Sequence, residues 1–255
     1  MRVIHAIRRR ILALPHKFLW SFRSNDNSKE LKKYKNKFLG KTCFLVANGP
    51  SLKKMDLSFL DNKISFGLNR IYLAYEDMGF TNDFLVSINK LVLEQFSSEI
   101  SELDIPKFIN WECRNYYNND KNAMFIYKSI FGKQFGKEMH QSINPAATVT
   151  YAALQIIYYM GFQQVIIIGM DHNFVTNNKN RPNKTEVVNE EVDVNHFHPN
   201  YFPKGSKWET PDLVSSEYFY NLAKVVFEHD GRQIIDCTIE GKCEVFEKGN
   251  FNDFI

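Results

Sequence analysis

Val165-Ile-Ile-Ile-Gly-Met-Asp171, followed at once by His172, decides the fold of this 255-residue chain. Four β-branched residues stop at a glycine, and an aspartate and a histidine come next. A strand buried on both faces has this pattern when it delivers polar groups at its carboxyl end. Phe44-Leu-Val-Ala-Asn-Gly-Pro-Ser-Leu52 follows the same rule earlier in the chain. If both strands share one sheet, Asn48, Gly49, Ser51, Asp171 and His172 converge on a single crevice.

Working outward, Thr148, Val149, Ala152, Leu154, Ile156, Ile157 and Tyr159 recur at the spacing of a largely buried helix over 147–161. Gly161 ends it, and the decisive strand follows directly. Further strands are expected near 42–47, 63–68, 83–87, 107–110 and 233–236, with helices near 70–79, 89–102 and 213–229. Alternation of this kind implies an α/β, Rossmann-like, mostly parallel sheet with helices on both faces. Residues 41–255 form one such domain, and the polar, proline-bearing stretch 173–212 is a lid-like insert.

Composition supports a packed protein, since 44% of residues are hydrophobic and 24% charged. The net charge of +3 hides an asymmetry: residues 1–40 hold eleven Lys/Arg against two acidic residues, hence +9, which leaves −6 for the rest. The opening MRVIHAIRRRILALPHKFLWSF spaces its apolar residues as an amphipathic helix, kinked at Pro15, that suits an anionic membrane surface. Docking of that helix on its own domain or on a partner is the competing expectation. Lys29–Lys37 is expected as a polar linker with a fraying helix. No run is long enough to span a bilayer, and no cleavable leader pattern is present. The four cysteines show no CxxC pair, which fits a reducing cytoplasm. Cytoplasmic residence on the inner face of the membrane is therefore expected. Nucleic acid is not an expected partner, because the basic residues are confined to one end without interleaved aromatics. Homo-oligomer formation is left open.

Several residues could carry chemistry. Asn48-Gly-Pro-Ser51 offers an amide, a hydroxyl and the N–H groups of Gly49, Ser51 and Leu52 to a phosphate, although an ordinary capped turn would look the same. Gly67-Leu-Asn69 repeats the theme on the next strand. Asn144 and Thr148 stand at a helix start that favours an anion or is simply capped. Asp171 and His172 emerge at a strand tip. Asn195-His-Phe-His-Pro199 supplies two imidazoles which, in an extended segment, face the same side, so His196 or His198 could act as a general base. Thr238 and Gly241, after the last strand, are expected beside the first turn. No spacing marks a metal site.

Together, Asn48-Gly-Pro-Ser-Leu52, Gly67-Leu-Asn69, the Thr-rich helix start with its Val-Ile-Ile-Ile-Gly-Met-Asp-His strand, His-Phe-His-Pro-x-Tyr-Phe and the closing Asp-x-Thr-x-x-Gly-Lys resemble the bacterial family related to archaeal 6-hydroxymethylpterin diphosphokinases. The match covers about residues 40–250. The skeleton is also similar to that of the family 42 bacterial sialyltransferases, which implies a variant of the glycosyltransferase A fold. By that likeness Asn48 and Asn69 bind a CMP-activated sugar, Thr148 holds its phosphate, and His196 or His198 is the base. Where the sialyltransferases carry a tyrosine after Gly-x-Asp, this chain has His172, and Tyr201 stands near the place of their second tyrosine. The resemblance implies a metal-independent, inverting glycosyltransferase of surface glycan synthesis. Its donor would be a CMP-linked acidic sugar, sialic-acid-like or Kdo-like, and its acceptor a glycan or lipid-linked molecule, with no other cofactor. The alternatives are a Mg²⁺-dependent pterin diphosphokinase, and a nucleotide-binding module without catalysis.

Overall fold

The computed structural model describes residues 18–22, 25–129, 134–146, 148–174 and 186–255. Residues 1–17 of the basic helix expected over 1–22, and the part of the insert at 175–185, lie outside them. Eight strands make one sheet: β1 (Thr42–Val46), β2 (Ser65–Leu68), β3 (Phe84–Ser87), β4 (Lys107–Asn110), β5 (Ala123–Ile126), β6 (Gln164–Ile168), β9 (Gln233–Asp236) and β10 (Glu247–Lys248). Within the insert, β7 (Glu186–Val188) and β8 (Lys207–Glu209) pair antiparallel as a separate ribbon. The sheet order is β10-β9-β6-β1-β2-β3-β4-β5, and every pairing in it is parallel. The chain starts in the middle, walks to one edge through β5, and returns by way of β6 to the other side of β1. The reversal opens a crevice between the carboxyl ends of β1 and β6.

Strand side chains alternate between two cores. Leu45, Phe66, Leu68, Val86, Phe108, Val165 and Ile167 face one side, where they meet α5 (Val149–Met160) and α6 (Leu213–His229). Phe44, Val46, Leu85, Ile109, Ile166 and Ile168 face the other. There they are covered by the short helices α2 (Tyr75–Met78), α3 (Lys90–Gln95) and α4 (Ser97–Glu102), together with 3-10 turns. The fold is thus α/β and Rossmann-like, with helices on both faces.

Helix α5 has its residues from Thr150 to Met160 all buried. Each large aliphatic among them contributes roughly 1.5–3 kcal/mol of burial. Thr148 caps its start by accepting the Thr150 N–H, and Gly161 ends it at φ 91°. A Cβ there would lie 2.9 Å from the Asn36 Cα, so close packing as well as handedness demands glycine.

The sequence expectations differ from the structure in instructive places. Turns make up the second part of the linker expected over 29–37, but its first part belongs to a helix, α1 (Asn25–Lys32), with Leu31 fully buried. Its Asn27 side chain bonds both the N–H and the C=O of Phe125 at 2.7 Å, so an amide occupies the place of a ninth strand along the β5 edge. The helix expected over 89–102 breaks at Phe96 into α3 and α4. Strands β5 and β10 were not foreseen. Because β6 intervenes between β9 and β1, the turn carrying Thr238 and Gly241 adjoins the β6 turn rather than the first one.

Lys107 is fully buried at the start of β4 and pairs at 3.0 Å with Asp120, whose side chain is 3% exposed. Its ammonium also donates to the Leu103 carbonyl. Gln155 is another buried polar hub. Its carbonyl accepts the Gly136 and Asn144 N–H groups while its amide donates to the Asn144 and Tyr151 carbonyls. Gln155→Leu would orphan those groups and is expected to lower stability by about 2–4 kcal/mol in denaturant titration.

Candidate functional site

A cavity of about 1100 Å³, counted with its open mouth, lies at the carboxyl ends of β1, β2 and β6. Its walls include Asn48, Gly49, Asn69, Thr148, Asp171, His172, His196 and Tyr201. Ser51, Asn144, His198, Thr238 and Gly241 are not among its lining residues.

The first turn is clasped to the β6 turn. Gly49 N–H donates to the Gly169 carbonyl at 2.8 Å, Ser51 N–H to Asp171 Oδ1 at 3.0 Å, and Ser51 Oγ to Asp171 Oδ2 at 2.6 Å. The Leu52 N–H turns back to the Gly49 carbonyl. All three N–H groups expected to cradle a phosphate are therefore engaged within the protein, and Asp171 holds the turn together through both of its oxygens. A Cβ on Gly49 would fall 1.8 Å from Asp171 Oδ2. Gly49→Ala is accordingly expected to break the clasp, at a cost of about 1–3 kcal/mol in thermal or denaturant melts, and to weaken ligand binding in the cavity.

Beyond this clasp, Thr238 Oγ1 accepts the Met170 N–H, and the Lys242 N–H caps the Asp171 carbonyl. Thr238 and Gly241 thus support the β6 turn from outside. Asn144 likewise shapes the approach to α5 by accepting the Ala146 N–H at 2.8 Å. On β2's tip, Asn69 sits at φ 48° with Oδ1 accepting from Ser87 Oγ at 3.0 Å. Asn48 is 9% exposed, and its Oδ1 is buried with no protein partner. Such an orphan acceptor on a cavity wall calls for a ligand N–H or O–H.

Hydroxyls gather at the start of α5. Tyr220 donates to Thr148 Oγ1 at 3.2 Å, and Thr150 lines the same wall. Burial pushes the Tyr220 phenol up to about 12, and raises that of Tyr201 still further. Both therefore stay protonated donors at any working pH.

The loop 195–202 is not extended, which corrects the expectation that its two histidines share a side. Tyr201 N–H bonds the His198 carbonyl, and His198 Nδ1 accepts the Asn200 N–H. The chain already bends through 195–198, and His198 lies in a separate hollow beside Phe197, Pro199, Met55 and Met78. His196 faces the main cavity, stacked on Tyr201 with centroids 3.9 Å apart. Its Nδ1 lies 2.8 Å from Asp193 Oδ2, and that carboxylate's side chain is 5% exposed. In the neutral ring this pairing favours the proton on Nδ1, which leaves Nε2 as the accepting nitrogen on the cavity side. Asp193 escaped sequence reading, although its place three residues before His196 was a signal of a kind. A second imidazole, His172, sits at φ 54° with Nε2 2.9 Å from Glu217.

The body holds the loop in place. Phe197 N–H bonds the Asn48 carbonyl at 2.9 Å. Arg70, 4% exposed and stacked 3.6 Å over Phe96, donates to the Asn200 and Tyr201 carbonyls and pairs with Glu99 at 2.7 Å.

Fold and cavity define a Rossmann-like protein with a cleft at its switch point. The chain belongs to the 6-hydroxymethylpterin diphosphokinase MptE-like family, whose model matches residues 16–177. Among solved structures it is similar to the MAf glycosyltransferase from Magnetospirillum magneticum AMB-1, with a TM-score of 0.53 and 12% identity. The superposition covers 89% of this chain and 38% of that protein. At this identity the likeness is one of fold. No curated protein sequence matches the chain.

Proposed function

We propose that the protein is a glycosyltransferase that takes an acidic sugar from CMP and inverts its anomeric centre without a metal ion. The observation that carries this reading is the buried Asp193–His196 pair on the same cavity as the hydroxyl-rich start of α5. His196 Nε2 removes the proton of an acceptor hydroxyl as its oxygen bonds to the anomeric carbon. The bond from that carbon to the phosphate oxygen breaks, and the departing CMP keeps the electron pair. The α5 N-terminus, with the Thr148, Thr150 and Tyr220 hydroxyls beside it, stabilises the negative charge. The orphan Asn48 acceptor suits a hydroxyl or amino donor on the nucleotide or sugar.

Among the described residues, neither lysine nor arginine lines the cavity. A single phosphate diester needs less countercharge than a triphosphate. The family's name suggests a second reading, pyrophosphoryl transfer with Mg²⁺, for which carboxylate ligands would be needed. Asp171 spends both oxygens on Ser51, Asp212 caps α6, and no three His, Cys, Asp or Glu among the described residues converge. That donor set does not fit the ion.

Thermal melts separate the two readings. CMP at 100 times its Kd is expected to stabilise the protein by about 2.7 kcal/mol, and ATP with Mg²⁺ to leave the melt unchanged. The reverse pattern would transfer the assignment to the diphosphokinase reading.

A further inference from the structure

We propose that the carboxyl edge of the sheet docks on anionic lipid bilayers, with Phe18 and Phe22 as the inserting pair, and that this sets the cavity mouth at headgroup level. Residues 18–22 are helical. Trp20 points inward at 8% exposure, edge-on to Trp111 at 5.0 Å and stacked on Tyr127 at 5.6 Å. Phe18 and Phe22 lie one helical turn apart with centroids 4.5 Å from each other, 64% and 68% exposed. Among the described residues, no core side chain covers this aromatic pair.

The position of that anchor matters. Trp111 directly follows β4 and Tyr127 directly follows β5, so Trp20 is seated on the carboxyl ends of those strands. The cavity opens along the same edge, at β1, β2 and β6. From β1 to β4 is three strand spacings, roughly 14 Å. Two exposed valines stand next to cavity-lining residues: Val194, 62% exposed, precedes Asn195, and Val214, 77% exposed, follows Leu213.

Charge selects the occupant. Residues 1–23 carry Arg2, Arg8, Arg9, Arg10, Lys17 and Arg23 with no acidic residue, whereas residues 41–255 carry −6. A basic, aromatic approach on an acidic body complements an anionic lipid surface, where the two attractions reinforce each other. No helix among the described residues is long and apolar enough to cross a membrane, so the contact is interfacial. This inference does not depend on which reaction the cavity performs.

Co-sedimentation of the full chain with vesicles tests it. Vesicles rich in phosphatidylglycerol are expected to carry the protein down, and pure phosphatidylcholine vesicles to leave it in solution. Raising the salt from 0.1 to 0.5 M should weaken binding roughly tenfold or more. The doubly substituted F18S/F22S variant should lose roughly tenfold or more as well, with its melting temperature unchanged because both side chains are exposed. Orientation is read by a polarity-sensitive dye on Val214→Cys or on Lys37→Cys, since the four native cysteines are buried. Lys37 belongs to the turn that bonds the α5 C-terminus, at the opposite edge. A blue shift on anionic vesicles at position 214 and none at 37 supports the proposal. Absence of binding to anionic vesicles, full binding by the double variant, or a shift only at position 37 would overturn it.

Discussion

Exchange of His196 for alanine is expected to lower sugar transfer by about 10²–10⁴-fold, the usual worth of a positioned general base, while CMP binding persists. The expectation rests on geometry: His196 is the loop imidazole on the cavity wall, and a buried carboxylate favours the tautomer with the proton on Nδ1. Asp193→Asn should fall between wild type and His196→Ala, because the amide keeps the volume but no longer stabilises the imidazolium that forms. His198→Ala should stay within a few-fold of wild type, since that ring faces the separate hollow. Initial rates with a CMP-sugar and a glycan acceptor, alongside calorimetric titration with CMP, provide the check. Full activity in His196→Ala would remove the base from the mechanism.

The largest effect on stability is expected at Lys107. Lys107→Met leaves the Asp120 carboxylate buried without its 3.0 Å partner, a defect that costs about 3–5 kcal/mol. The double variant with Asp120→Leu should recover most of the loss, since two apolar groups in a buried pair's place are often neutral. Urea titration of the four proteins of this cycle gives the coupling directly. Equal losses in the single and double variants would show that packing, rather than the charge pair, sets the cost.

Much of this architecture was legible in the residues. Strands β1 and β6 are unbroken apolar runs buried on both sides, and α5 and α6 have apolar spacing that only a helix satisfies. Strand β5 was missed although Ala123-Met-Phe-Ile126 is an unbroken apolar run, because so short a run with one β-branched residue does not by itself distinguish a strand from a buried helical turn. The carboxyl-end crevice followed from strand order, and Asn48, Asp171 and His196 do line it. What failed was direction within loops. Alternation assigned His196 and His198 to one side, whereas the chain bends through residues 195–198 and leaves His196 on the cavity and His198 in the separate hollow. The N–H groups of the first turn were invisible in another way, since their acceptors, Gly169 and Asp171, arrive from a distant strand.

Arg70 grips the loop by the main-chain carbonyls of Asn200 and Tyr201. Every amino acid brings a carbonyl, so this attachment is indifferent to what side chain grows from either position. Relatives could therefore change the side chain at such a position without unfastening the loop that presents it. In this design diversification and retention fall on different atoms of the same residue.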